Sequence, residues 1–141
     1  MGNQSMLTGF NHITLSVSDL HRSFHFYVEI LGFKPLAFWD SGAYLELGKL
    51  WLCLSFDEET RKAPLDEYFH IAFTVNQQDF QKVADALLKA GIKIWQENKS
   101  EGDSLYFLDP DGHKLEIHVG SLESRIKTLK QKPFKGLKFF E

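Results

Sequence analysis

Two stretches of this chain follow one plan, and that internal repeat limits the fold more than any other feature. The first is NHITLSVSDLHRSFHFYVEILGFKP and the second is FHIAFTVNQQDFQKVADALLKAGIKI. Each opens with a short strand carrying His-Ile, passes a polar hinge and enters an amphipathic helix. Leu20, Phe24, Tyr27, Val28 and Leu31 make the apolar stripe of one helix. Phe80, Val83, Leu87 and Leu88 make that of the other. Asp19 and Asp79 stand near the helix starts, where a carboxylate suits the exposed N–H groups and the dipole. Gly32 and Gly91 stand where a helix ends.

Three further strands are predicted in each half. They are Pro35–Trp39, Ala43–Leu47 and Leu50–Phe56, then Lys93–Glu97, Ser104–Leu108 and Lys114–Val119, with tight turns at DSG and DPDG. The chain therefore reads βαβββ twice. The class is α+β, and two curved sheets side by side form a half-open barrel with the helices outside and a concave interior suited to a ligand. A single domain over 6–141 is expected, with repeat one at 9–56, a polar linker at 57–67, repeat two at 68–119, and a C-terminal helix and packing arm at 120–141. The polar, patternless MGNQS reads as a flexible leader over 1–5.

The bulk properties exclude several classes. A chain of 141 residues with 43% apolar side chains and 13 Phe can fill one core. A net charge of −3 argues against a nucleic-acid or membrane-surface protein. Cys53 is alone in the apolar run LWLCLSF, so an internal disulfide is impossible and a buried structural thiol is expected. No apolar stretch approaches the length of a membrane span, and a cytoplasmic location is the default expectation.

Strand parity then selects candidate ligands. Side chains two apart share a face, so His12, Thr14 and Ser16 go together, as do His70, Ala72 and Thr74, and Lys114, Glu116 and His118. His12 and His70 are equivalent under the repeat, and aligning KLW with KLE sets Trp51 opposite Glu116. Three of these four positions carry metal-ligand side chains. Two imidazoles and a carboxylate leave coordination positions open, as a catalytic metal site requires. The pattern alone leaves two readings open, a metal site or hydrogen-bonded strand histidines. His21, His25, His113 and His118 have no support from the repeat.

At this point the residues carry a resemblance. The repeat is similar to that of the vicinal oxygen chelate superfamily. GFNHITLSVSDL, WDSGAYLELGKLWLCLS, SEGDSLYFLDPDGHKLEIHVG and KPFKGLKFF resemble its glutathione-transferring fosfomycin-resistance enzymes, over Met6 to Glu141. The resemblance implies a fosfomycin glutathione transferase conferring antibiotic resistance, acting as a homodimer with exchanged halves. It implies a Mn²⁺ site of His12 from one chain with His70 and Glu116 from the other, and a substrate pocket walled by Trp51. It also implies a K⁺ loop formed by Asn98, Ser100, Glu101, Gly102 and Ser104. Lys99, Ser100, Ser104, Tyr106 and Arg125 would hold the phosphonate. Thr14 would orient the epoxide, and Tyr44 would help the thiol ionise.

This chain departs from that pattern where a lysine is usual and Gln96 stands, and where an arginine is usual and Lys99 stands. Both changes weaken the hold on an oxyanion. The rival activities are an epoxide hydrolase using water, a transferase using cysteine or bacillithiol, an Fe²⁺ extradiol dioxygenase, and a metal-free drug-sequestering dimer.

Overall fold

The computed structural model describes residues 5–140, so residues 1–4 of the expected leader lie outside the described residues. The chain divides into two compact units, the first ending at Lys62 and the second beginning at Ala63.

The first unit runs β1 (His12–Val17), α1 (Leu20–His25), β2 (Lys34–Trp39), β3 (Gly42–Leu47) and β4 (Leu50–Phe56). Its sheet has the order β1-β4-β3-β2, with β1 parallel to β4 and the other pairs antiparallel. Asp19 caps α1 by accepting the backbone N–H of Arg22 at 3.1 Å. Where one continuous helix was expected as far as Leu31, the backbone instead widens into a π turn over Phe26–Ile30. Two adjacent aromatics, Phe26 and Tyr27, are both buried there. Regular α geometry separates neighbours by about 100°, and an i→i+5 turn is a rare local departure from it, found mostly as a single turn within a helix.

The second unit repeats the topology. It contains β5 (Ile71–Thr74), α2 (Gln77–Lys89), β6 (Ile94–Gln96), β7 (Ser104–Leu108) and β8 (Lys114–His118), with sheet order β5-β8-β7-β6. A third helix, α3 (Leu122–Gln131), follows, closed at its start by reciprocal bonds between Ser121 and Ser124. Asp79 lies in the first turn of α2, whose cap is Asn76. The paired βαβββ architecture expected from the repeat is present. Each repeat also carries a register irregularity at the same place, between Pro35 and Ala37 and between Ile94 and Gln96.

One face of each sheet packs on its helices. In the first unit Leu15, Val17, Ala43, Leu45, Leu52 and Leu54 are buried with Phe26 and Tyr27. In the second Phe73, Phe107, Leu115 and Ile117 are buried with Ala84 and Leu87. These are alternate strand residues, so the parity that builds the core turns the intervening positions to the opposite face. Cys53 is a buried free thiol.

Candidate active site

The non-core face of the second sheet presents two rows. Strand register sets Ala72, Glu116, Tyr106 and Gln96 abreast in one row, and Thr74, His118 and Ser104 in the next. His70, just before β5, reaches the first row diagonally, with its Nε2 3.0 Å from Glu116 Oε1. The Glu116 residue is only 5% exposed. A carboxylate so buried needs partners, and it has them. The Ser104 hydroxyl donates to Oε2 at 2.6 Å, and His118 Nδ1 lies 3.5 Å from the same oxygen. Around His70 stand Tyr68, Trp95 and Tyr106, with ring centroids 5.3, 5.5 and 6.0 Å away.

A cavity of about 470 Å³ opens over these rows. His70, Glu116, Lys99, Ser100, Tyr106 and Arg125 all line it. Gln96 and His118 line it too, with Phe134 from the C-terminal arm. Fold geometry thus gathers residues from seven segments of the second unit around one acidic group and two cations.

The 98–104 loop closes on itself. Asn98 Oδ1 accepts from Ser100 N and Ser100 Oγ at 3.0 and 2.8 Å, and Asn98 Nδ2 donates to the Gly102 carbonyl at 2.9 Å. Gly102 has φ +75°, and a Cβ there would lie 2.3 Å from the Val119 carbonyl oxygen. The Arg125 guanidinium donates through Nε to Glu101 Oε1 at 3.3 Å. In this structure Arg125 is therefore tied to the loop at one edge and open to the cavity at the other.

His12, Thr14, Tyr44 and Trp51 belong to the first unit. There β1 and β4 set His12 beside Trp51 and Thr14 beside Cys53, and β3 sets Tyr44 beside Cys53. The exposed rings form a chain in which Trp39 and Tyr44 are 4.8 Å apart, Tyr44 and Trp51 5.3 Å, and Trp51 and His12 4.5 Å. Asn11 Oδ1 lies 2.6 Å from His12 Nδ1, leaving Nε2 as the nitrogen available to a ligand. Among the described residues no three of His, Cys, Asp and Glu are arranged to hold a metal ion.

Two details differ from the sequence reading. The KLW and KLE segments align only approximately, because Trp51 pairs with His12 whereas Glu116 pairs with Ala72 rather than His70. The offset is two residues, which preserves the face; an offset of one would have reversed it. Further, His118, set aside for want of a repeat partner, stands in the site. Its signal was its position two residues beyond Glu116 on the same strand.

The donor set fits a divalent cation. A buried carboxylate and an imidazole nitrogen meet at hydrogen-bond distance, and both are borderline-to-hard ligands suited to first-row metals.

Residues 9–117 match the Glyoxalase/Bleomycin resistance protein/Dioxygenase superfamily. The glutathione transferase FosA of Serratia marcescens is 52% identical over 95% of this chain and 96% of its own. The metallothiol transferase FosB of Lysinibacillus sphaericus is 38% identical over 86% of this chain and 89% of its own. Among solved structures, a mutant fosfomycin resistance protein FosX from Listeria monocytogenes, complexed with Mn(II) and 1S,2S-dihydroxypropylphosphonic acid, superimposes with a TM-score of 0.76. It is 30% identical, over 87% of this chain and 98% of that one. The chain belongs to the Glyoxalase/Bleomycin resistance protein/Dioxygenase superfamily, and the proteins it is similar to include FosA, FosB and the fosfomycin resistance protein FosX.

Proposed function

We propose that this protein is a glutathione transferase that opens the epoxide of fosfomycin and so confers resistance to it. The observation that carries the reading is the single cavity in which a buried carboxylate and His70 face Lys99, Ser100, Tyr106 and Arg125. An anionic phosphonate needs the cations and hydroxyls. A strained ether oxygen needs an electrophile.

His70 and Glu116 would hold a divalent cation together with His12, and Mn²⁺ is the ion present in the FosX relative. When bound, that ion supplies Lewis-acid stabilisation of negative charge developing on oxygen. The remaining work falls to the protein. Lys99 and Arg125 offset the phosphonate charge, which would otherwise repel an anionic nucleophile. Ser100 and Tyr106 offer hydroxyl donors to its oxygens, while the Ser104 proton goes to Glu116 Oε2. Thr14 orients the epoxide. Tyr44, by a hydrogen bond to sulfur, favours ionisation of the glutathione thiol. The thiolate forms a C–S bond to the epoxide carbon bearing the phosphonate, and the C–O bond breaks with its electron pair staying on oxygen. That oxygen then takes up a proton. No cysteine of this chain enters the reaction.

The reading draws the residues of the site from two chains. His12, Thr14, Tyr44 and Trp51 come from one protomer, and His70, Glu116 and the anion-binding residues come from its partner. A K⁺ ion in the 98–104 loop would add positive charge beside Ser100 and Ser104, through oxygens of the kind hard cations prefer. Use of a cellular thiol and the lone buried Cys53 accord with action in the cytoplasm.

The test is thiol stoichiometry. Protein, Mn²⁺, K⁺, fosfomycin and glutathione are mixed and free thiols are counted as the drug disappears. One thiol lost per fosfomycin consumed supports the transferase. Drug consumed with thiols unchanged would assign water as the nucleophile instead.

A further inference from the structure

His118 has no part in the chemistry above, yet it is held more closely than any other imidazole near the cavity. Its Nδ1 lies 2.5 Å from Ser104 Oγ. The Ser104 hydroxyl has one proton, which it gives to Glu116 Oε2 at 2.6 Å. A lone pair of that oxygen therefore faces His118, and Nδ1 must carry the hydrogen that it accepts. On the far side of the ring, Nε2 is 3.5 Å from Glu101 Oε1.

The ring also fills a space that the backbone leaves for it. A Cβ on Gly120 would lie 2.6 Å from His118 Nε2, and one on Gly102 would lie 3.4 Å from its Cε1. The glycine at 120 thus permits this imidazole to stand where it does, and Gly102 borders it at ordinary contact distance.

We propose that His118 is a positioning residue for Glu116, acting through Ser104. A serine hydroxyl alone is a free rotor. With Nδ1–H donating into its lone pair, the rotor has one favoured setting, and its proton points at Oε2. Glu116 is then fixed about its terminal torsion, with Oε1 presented beside His70. Outer hydrogen bonds of this kind orient metal ligands and tune their affinity. The proposal rests on the reading of His70 and Glu116 as metal ligands.

The test is Mn²⁺ binding by the full chain, stripped of metal and titrated with Mn²⁺ alone, with free ion followed by electron paramagnetic resonance. Wild type, His118→Leu, His118→Asn and Ser104→Ala are compared, and thermal midpoints of the metal-free chains are recorded. The leucine variant is expected to bind about 10- to 100-fold more weakly. Asparagine, which keeps an N–H donor near the Nδ1 position, recovers most of the loss. Ser104→Ala weakens binding similarly, and the His118→Leu/Ser104→Ala double variant is no worse than either single, because both act on one oxygen.

Wild-type affinity in His118→Leu overturns the positioning role and leaves the metal reading intact. A loss that asparagine does not rescue, with a lowered thermal midpoint, overturns it in favour of general structural damage. Failure of wild type itself to bind Mn²⁺ overturns both.

Discussion

His70 Nε2 and Glu116 Oε1 meet at 3.0 Å although 46 residues separate them in sequence. The contact exists because β5 and β8 are parallel neighbours in one sheet. Neither residue has that partner without the βαβββ crossover between them. If the pair binds metal, His70→Ala and Glu116→Gln each weaken Mn²⁺ binding by more than about 100-fold, beyond the range that outer-shell partners cost. Titration calorimetry on the full chain measures it, and wild-type affinity in either variant removes that residue from the ligand set.

Gln96 lines the cavity abreast of Tyr106 and Glu116. Its amide donates a hydrogen bond to an oxyanion without neutralising it. Gln96→Lys adds a positive charge on the same row. The expected result is a fall of roughly fivefold to tenfold in KM for fosfomycin, about 1 to 1.4 kcal/mol of added binding. Steady-state kinetics at low and high salt check this, since an electrostatic gain shrinks with ionic strength.

Tyr44 packs edge-on against both Trp39 and Trp51. Tyr44→Phe keeps the ring contacts and removes only the hydroxyl. On the proposed reading kcat/KM for glutathione falls by roughly 10- to 150-fold, the worth of a hydrogen bond to a charged group. Thermal stability stays near wild type. A change confined to stability would make Tyr44 a packing residue.

Gly102→Ala places a side chain where φ is +75° and the Val119 carbonyl oxygen is 2.3 Å away. The strained backbone alone costs on the order of 1 to 3 kcal/mol. Urea denaturation reads the loss. Stimulation of turnover by added K⁺ falls with it, because the loop that would enclose the ion can no longer close.

In the core of the second unit, Leu87 is fully buried. Leu87→Ala should lower the unfolding free energy by about 2 to 5 kcal/mol, from lost burial and the cavity left behind. The slope against denaturant should stay constant, as for a change in stability alone.

Much of this architecture was legible in the residues, because strand parity and helix periodicity are local properties. Leu15 and Val17 against Thr14 and Ser16, or Leu115 and Ile117 against Glu116 and His118, declare their faces without a structure. The two helix-ending glycines likewise lie in the left-handed region, at φ 82° for Gly32 and 81° for Gly91. The rest depended on distance in space. The π turn after His25 answers to where Phe26 and Tyr27 must be buried, which periodicity does not encode. Register between parallel strands is set by packing rather than by aligned tripeptides, so the pairing of Glu116 with Ala72 was not visible in KLE. Repeat symmetry does not single out His118, because a residue that orients a ligand has no reason to obey it.

The measurement that tests the central claim most directly is ³¹P NMR of fosfomycin incubated with the protein, Mn²⁺ and K⁺, with and without glutathione. The account predicts a thioether phosphonate that forms only with glutathione and does not form with His70→Ala. A diol formed without thiol would contradict it and place water in the nucleophile's role. Unaltered drug, bound tightly without metal, would contradict it altogether and leave a sequestering protein.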